Sequence, residues 1–314
     1  MADWMRECAD VVSPVYELMK QRVLASKAVQ TDDTPVPVLD PDLPHTRTGR
    51  IWTYLGDDEH PYTVYDYTPT RSRDGPEEFL QAFRGYLQAD AYSGYDHFYE
   101  EPGRGIDEVA CWAHARRKHW EAQSSDLMRS TVMLAYIRLL YDVEREAQER
   151  RLPGEARRAL RLEKSKPILD DIRTYLERKQ PQVLPKSPEG EAIAYTLSNW
   201  KALTRYRDDG DLAIDNSGSE RSLRGVAVGR KNWMFYGSDN GGRTAAVLGS
   251  LIATSKRLHR DPFAYLRDLF ARVSAHPQSR LAELLPDQWQ LARPGRCRRL
   301  RRRSVRRIRA TNRR

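Results

Sequence analysis

The chain has 314 residues, enough for one large domain with an insertion or for two ordinary domains. Hydrophobic residues make up 39% and charged residues 31%. No apolar run approaches the roughly 18 residues of a membrane span, which excludes a membrane protein. The N-terminus lacks an apolar signal core, which disfavours a secreted protein. The net charge of +9 lies entirely in the last segment, because residues 1–292 carry 41 basic and 44 acidic side chains. Three scattered cysteines, Cys8, Cys111 and Cys297, fit a reducing cytosol better than a disulfide framework.

The first part of the chain predicts a helix and then a strand that carries an acidic candidate. Apolar residues at helical spacing indicate a helix within residues 1–26. A strand is predicted over residues 28–34, which we expect Pro35 and Pro37 to end. Asp32 lies near the end of this strand, beside the turn-forming sequence Asp-Thr-Pro.

Four more strands and a short helix are predicted before residue 114. The strands are expected over residues 50–55, 62–67, 86–89 and 108–113. The helix is expected to begin at Pro76 and to end at Gly85. Asp90 directly follows the fourth strand, and the fifth strand leads into a basic stretch.

The remainder of the chain changes to helical spacing. Apolar residues recur with a helical period through residues 121–206, and further helices are expected around Glu220 and over residues 245–258. The predicted segments are a helical N-terminus (1–26), the first part of a sheet-based core (27–120), an all-helical insertion (121–206), the second part of the core (207–290) and an arginine-rich tail (291–314).

Twelve arginines, with no lysine and no acid, lie between Arg293 and Arg314. Such a block of like charge is typically disordered and often binds nucleic acid. A solvated tail without a role, or sequence added by a late frame change, explains it equally well.

Three acids, Asp32, Asp90 and Glu220, are candidates for a catalytic metal site. Strand ends and a helix start can bring carboxylates to one point, where they hold two divalent cations over a phosphodiester. Each acid also has a purely structural interpretation. Asp32 and Asp90 suit turns, and the spacing from Ser217 to Glu220 matches a capping box, in which the glutamate bonds a backbone N–H.

A second group of candidates lies between Cys111 and Trp120. Cys111, His114 and His119 suggest zinc, although their spacing is poor for a structural site. Phosphate contact by basic residues is favoured over zinc, and a plain surface helix is the alternative. The basic residues of this stretch are Arg116, Arg117 and Lys118.

The third group lies in residues 229–242, where Arg230 and Lys231 precede aromatic residues and a glycine-rich loop. Basic residues followed by glycines before a helix suit a close approach of the backbone to phosphates. A hairpin with Trp233 and Phe235 buried is the structural alternative.

These motifs together resemble the DDE transposases of the IS sixty-six family of bacterial insertion sequences. The resemblance covers about residues 1–290 and rests on motifs in the family's order. They are Asp32-Asp33-Thr34-Pro35-Val36, Gln88 to Tyr95, Cys111 to Arg117, Asp215-Asn216 through Glu220-Arg221, Gly229 to Trp233, and the late Leu284-Leu285-Pro286 with Trp289.

The resemblance implies an α/β protein with an RNase H-like core, a mixed sheet with helices on both faces and a helical insertion before the acid-bearing helix. Carried over by motif, Asp32, Asp90 and Glu220 are the catalytic and metal-binding residues for two Mg²⁺ or Mn²⁺ ions, with Asp33 as second choice for the first position. The implied DNA-contact candidates are His114, which should lie near the metals, with Arg116, Arg117, Lys118, Arg230 and Lys231.

The implied function is DNA transposition, in which strands are cleaved at the ends of the insertion sequence and their 3′ ends are joined to target DNA. Expected partners are DNA, further copies of the chain and accessory insertion-sequence proteins, in a bacterial cytoplasm at the nucleoid. Where the family reads Asn, any residue, Ala before the glutamate, this chain has Ser217-Gly218-Ser219, and the upstream DNA-binding region of the family is missing. A truncated, inactive remnant that only binds DNA is therefore the alternative; a glycoside hydrolase using two carboxylates is a distant third.

Overall fold

The computed structural model describes residues 2–90 and 92–290, so the predicted arginine-rich tail lies outside the described residues. The described chain forms one mixed five-stranded sheet with helices packed around it. The strands are β1 (Ala28–Val38), β2 (Arg47–Leu55), β3 (Thr63–Thr68), β4 (Gly85–Gln88) and β5 (Ile106–Val109). The helices are α1 (Ala2–Leu24), α2 (Asp74–Leu80), α3 (Asp96–Glu100), α4 (Trp112–Glu121), α5 (Leu127–Glu149), α6 (Gly154–Leu160), α7 (Lys166–Lys179), α8 (Pro188–Ser198), α9 (Trp200–Thr204), α10 (Ser217–Trp233), α11 (Asp239–Arg257) and α12 (Pro262–Arg272).

The strand order is β3-β2-β1-β4-β5, with β1 in the centre. β1 pairs antiparallel with β2 and parallel with β4, while β2 pairs antiparallel with β3 and β4 parallel with β5. The order matters for the site because β1 and β4 run parallel with Gln30 paired to Gln88, so Asp32 and Asp90 each follow this pair by two residues. All five predicted strands are present, but the fifth ends at Val109 rather than at residue 113, because α4 already begins at Trp112.

The prediction that Pro35 and Pro37 end the first strand is wrong, because β1 continues to Val38. The carbonyl of Pro37 accepts a hydrogen bond from the Tyr236 N–H at 2.9 Å, and the carbonyl of Pro35 accepts one from the Arg230 guanidinium. The N–H and C=O of a strand residue point to the same side, so both prolines face away from β2. A missing N–H on that side breaks no bond to β2.

Gly85 was predicted to end the short helix, and this is also wrong. α2 ends at Leu80, and Gly85 begins β4 with a φ of 134°. A side chain there would meet the Lys27 carbonyl, since an added Cβ would lie 2.5 Å from that oxygen. The glycine therefore serves the entry into the strand rather than the end of the helix.

The two faces of the sheet bury different sets of helices. On the first, here called the α1 face, Val29, Trp52 and Leu87 pack in a core with α1, α11 and α12. On the opposite face, here called the α10 face, Val36 and Ile51 pack against α10 and α11. Because strand side chains alternate, odd-numbered residues of β1 point to the α1 face and even-numbered ones to the α10 face.

The residues predicted to form an all-helical insertion are helical, in α5 to α9. Their apolar core is continuous with β5 and α4, because Val109 and Trp112 pack with Ile137, Ile172 and Leu203. The helical region therefore sits on the β5 edge of the sheet. The proposed segment boundaries themselves stay a prediction.

The hairpin considered for residues 229–242 is not formed. α10 extends to Trp233, Met234 reverses the chain with a φ of 54°, and α11 already begins at Asp239. Phe235 is exposed rather than buried. No helix within residues 2–90 and 92–290 is long and apolar enough to cross a membrane.

Candidate active site

Asp32 and Asp33 are neighbours on β1 but point to opposite faces of the sheet. Asp32 pairs with Thr53, whose hydroxyl lies 2.8 Å from the Ser222 hydroxyl of α10. Asp32 is thereby placed on the α10 face and Asp33 on the α1 face. The Asp32 Oδ1 accepts a hydrogen bond of 2.7 Å from the Asp33 N–H.

The carboxylate of Asp33 is already neutralised. Its side chain is 4% exposed and binds Arg50 at 2.8 Å and Arg71 at 2.9 Å. The Arg71 guanidinium also lies over the ring of Tyr92, 4.2 Å from its centroid. This geometry disfavours Asp33 as the alternative to Asp32, since its oxygens are occupied by two cations.

Asp90 follows β4 by two residues and shares the parity of Gln88, so the strand alternation places it on the α10 face beside Asp32. Burial raises the pKa of the Asp90 carboxyl, while the charges of His114 and Arg71 oppose that increase. The two aspartates predicted from separate strands are thus brought together.

Glu220 lies in the first turn of α10, and its carboxylate oxygen is 3.6 Å from Nε2 of His114 on α4. The capping-box interpretation is wrong: Ser217 is the first residue of the helix and Asn216 precedes it, without a side-chain cap bond. Within the described part of the chain, His114 Nδ1 is buried without a hydrogen-bond partner. The imidazole therefore faces the Glu220 carboxylate.

The carboxyl of Asp32 is under the electrostatic influence of the other two acids. Burial is the main reason why the pKa of Asp32 is raised to about 7, and the carboxylates of Asp90 and Glu220 raise it further. Like charges that disfavour ionisation of a neighbour are typical of sites that await a cation. The acids lie too far apart to hold an ion in this arrangement. Within the described ranges, no three His, Cys, Asp or Glu side chains come close enough together to bind one.

The zinc interpretation of the α4 motif is wrong. His119 is buried among the helices, with Nε2 3.0 Å from the Thr196 hydroxyl, and burial lowers its pKa to about 4. Cys111 is buried at the start of α4, and burial raises the pKa of its thiol to about 12. His114 instead faces Glu220, so the three side chains do not share a site.

The remaining DNA-contact candidates lie on two helices. Arg116, Arg117 and Lys118 are exposed on α4, the helix that also carries His114. Arg230 and Lys231 lie in the last turn of α10, and the Arg230 guanidinium bonds the β1 backbone.

The glycines after these residues do not form a phosphate loop. Gly242 lies inside α11, and a Cβ there would be 2.4 Å from the ring of Tyr67. Close packing of α11 on the sheet explains this glycine. The prediction of a glycine-rich loop that approaches phosphates is therefore wrong.

A groove with a volume of about 870 Å³ runs between α10 and α11. Its floor includes Leu55 and Tyr65, and its charged lining residues, Arg221, Lys256 and Arg257, are all cations. The groove is lined by residues 218, 221, 222 and 225 of α10. By the helical period, these residues lie on the side of α10 opposite Glu220.

Two glutamines next to the acids were not predicted from the sequence. Gln30 and Gln88 lie on the α10 face, and the Gln30 amide donates a hydrogen bond of 3.1 Å to the Gln88 side-chain oxygen. Each stands two residues before an acid of the cluster. Their even-numbered spacing from Asp32 and Asp90 was the available signal.

Comparison with known families decides the relationship. The family described as Transposase IS66 family matches residues 1–244, and the IS66 C-terminal element matches residues 250–286. This chain belongs to the IS66 transposase family. The resemblance inferred from the motifs is confirmed.

Relatives of this IS66 family member occur in Sinorhizobium fredii. The uncharacterized protein y4hP is 34% identical over an alignment of 313 residues that covers 93% of this chain and 56% of that protein. The uncharacterized protein y4jD is 31% identical over 308 residues, 93% of this chain and 59% of that protein. The chain therefore spans somewhat more than half the length of the curated relatives it matches.

Proposed function

We propose that this IS66 family member is a metal-dependent DNA transposase whose catalytic residues are Asp32, Asp90 and Glu220. The observation that carries the proposal is their placement: the carboxylates of Asp90, after β4, and of Glu220, on α10, both raise the pKa of Asp32 on β1. Membership of a transposase family supplies the reaction class. The central position of β1 between an antiparallel and a parallel neighbour supports the RNase H-like core that the resemblance implies.

The residues fit a hard divalent cation. Carboxylate oxygens are the ligands that Mg²⁺ and Mn²⁺ prefer, and Mg²⁺ keeps several waters and needs only one or two protein carboxylates. Two half-buried aspartates with raised pKa values and no basic residue bound to them are suited to such an ion. When bound, two ions would supply activation of the attacking oxygen and stabilisation of the leaving oxygen.

The side chains of the site place charge and orient the reacting groups. Asp32 and Asp90 hold negative charge where a cation is needed, and Glu220 is held beside His114. An imidazole at this position can position a water molecule or a phosphate oxygen through its Nε2. Water is the nucleophile for strand cleavage, and the freed 3′ hydroxyl is the nucleophile for joining.

Positive charge near the acids is available for the phosphate backbone of DNA. Arg116, Arg117 and Lys118 project from α4 next to His114. On the side of α10 opposite Glu220, Arg221 and Lys256 are exposed on the rim of the groove and form no ion pair within the described ranges. Cations that the protein leaves unpaired are candidates for phosphate contacts.

The proposal is tested by Mg²⁺- or Mn²⁺-dependent nicking and strand transfer on insertion-sequence end DNA. Wild-type protein is expected to nick and join such DNA, and Asp90→Asn is expected to lower the rate by at least about a thousandfold, because transition-state charge loses its stabilisation. Nicking that survives Asp90→Asn would contradict the site. An inactive wild type that still binds DNA in a salt-sensitive way would favour the DNA-binding remnant.

A further inference from the structure

We infer that Gln30 and Gln88 are positioning residues, which form a hydrogen-bonded link that fixes the helix of Glu220 against the strands of Asp32 and Asp90. The inference rests on the proposed function and adds two residues that touch none of the reacting atoms. Both side chains lie under the acid cluster, and Gln88 is 2% exposed.

The link runs across three elements. The Gln30 side-chain amide donates to the Gln88 side-chain oxygen at 3.1 Å, and the Gln88 amide donates to the backbone carbonyl of Ala213 at 2.8 Å. The Gln30 side-chain oxygen accepts the Ser219 N–H at 3.2 Å, and its amide also lies 3.4 Å from the Asp215 carbonyl. One pair of side chains thereby joins β1, β4 and the start of α10.

The start of α10 needs these partners because its own cap is incomplete. The first N–H groups of a helix have no acceptor within the helix. Asn216 precedes α10 but gives no side-chain cap bond. The Asp215 carboxylate accepts the Ser217 N–H at 3.0 Å and is itself held by the Tyr141 hydroxyl at 2.7 Å. The Ser219 N–H donates both to the Asn216 carbonyl at 3.0 Å and to the Gln30 side-chain oxygen at 3.2 Å, so Gln30 adds to this turn a second acceptor from the neighbouring strand.

The bonded atoms lie close to the acids along the chain. Gln30 is two residues before Asp32, and Gln88 is two residues before Asp90, so each shares the face of its acid. Ser219 directly precedes Glu220. A shift of α10 along the sheet would break the link and move Glu220 away from the aspartates.

Gly218 shows how tight this contact is. A Cβ at residue 218 would lie 2.5 Å from the Gln30 side-chain oxygen and 2.8 Å from Leu55. The glycine lets α10 approach β1 closely enough for the Ser219 bond to form.

The test uses Gln30→Ala and Gln88→Ala in the whole chain, with Thr196→Val as a matched control. The control removes a buried hydrogen bond, to His119, in the helical region. Three properties are measured: amide hydrogen exchange of residues 217–222, Mn²⁺ binding by electron paramagnetic resonance, and the rate of nicking. DNA affinity without metal is measured in parallel.

Gln30→Ala is expected to speed exchange in residues 217–222 by about tenfold or more. It should weaken Mn²⁺ binding several-fold and slow nicking by about 10- to 100-fold, since small displacements of reacting groups are costly. Affinity for DNA without metal should remain as in wild type. Gln88→Ala should act in the same direction, and Thr196→Val should leave all three properties near wild type.

Gln30→Glu provides a second variant that keeps the acceptor for the Ser219 N–H but loses the donor to Gln88 and to the Asp215 carbonyl, so exchange in residues 217–222 should be faster than in wild type and slower than in Gln30→Ala. Wild-type exchange and wild-type Mn²⁺ binding in Gln30→Ala would overturn the inference. The exchange and Mn²⁺ measurements do not depend on cleavage. An inactive wild type would therefore count against the proposed function. The exchange and Mn²⁺ measurements would still decide the inference about the two glutamines.

Discussion

Two regions of the molecule treat buried charge in opposite ways. In the helical region, Arg161 is 0% exposed and every side of its guanidinium is occupied. It binds both oxygens of Glu144 at 2.7 Å, it donates to the carbonyls of Tyr206, Asp209 and Leu212, and it lies over the Tyr206 ring. On the α10 face, Asp32, Asp90 and Glu220 gather negative charge with little compensation from the protein.

The difference separates a structural charge from a functional one. A buried ion pair with all its hydrogen bonds made joins elements together and needs nothing from outside. A cluster of like charges destabilises the fold until a ligand neutralises it, which is typical of sites shaped for function. Substitutions in the two regions should therefore change stability in opposite directions.

The largest expected effect is at Arg161. Arg161→Ala should lower the free energy of unfolding by about 3–5 kcal/mol, because Glu144 and three carbonyls lose their partner. Denaturant unfolding followed by circular dichroism measures it. Arg145→Ala, which removes an exposed pair with Asp142, is the matched control and should cost less than about 0.5 kcal/mol. Equal losses in the two variants would contradict the structural role of Arg161.

Substitution of Asp33 should destabilise the protein, as substitution of Arg161 does and substitution of its neighbour Asp32 does not. Asp33→Asn leaves Arg50 and Arg71 without their carboxylate, so the free energy of unfolding should fall by about 2 kcal/mol. Thermal unfolding at pH 8 without divalent metal measures it. A gain in stability would show that Asp33 belongs to the uncompensated cluster.

Asp32→Asn should raise the free energy of unfolding, whereas the two preceding substitutions lower it. A carboxyl whose pKa is about 7 in the folded protein, against an ordinary value of 3.8, disfavours folding increasingly as the pH rises from about 4 to 7. The variant should therefore gain about 1–3 kcal/mol at pH 8 without metal and differ little from wild type near pH 4. The same unfolding experiment at both pH values measures it. A loss at pH 8 would contradict the electrostatic account.

Much of the fold could be predicted because its signals are local. Alternating β-branched and aromatic residues located β2 and β3, and helical spacing located α5 and α7. The extension of β1 through two prolines could not be predicted, because it depends on which side of the strand lacks a partner. Gly85 and Gly242 were misinterpreted for the same reason, since their neighbours in space are distant along the chain.

The candidate site was predictable from motifs, and its arrangement was not. The motifs selected Asp32, Asp90 and Glu220 from 44 acidic residues, but they left Asp33 and a capping role for Glu220 open. The register of β1 against β2 separates Asp32 from Asp33, and the start of α10 removes the capping role. The glutamine pair carries no sequence signal beyond its spacing, because its function depends on three elements meeting.

The central claim, that Asp32 rather than Asp33 belongs to a divalent-metal site, is tested most directly by Mn²⁺ titration calorimetry of the metal-free protein from pH 5 to pH 8. Binding to wild type should tighten as the pH rises toward 7, because Asp32 must lose its proton to bind the ion. At pH 8 it should be at least about tenfold weaker in Asp32→Asn. Asp33→Asn should bind within about twofold of wild type. Unchanged binding in Asp32→Asn, or an equal loss in Asp33→Asn, would contradict the account.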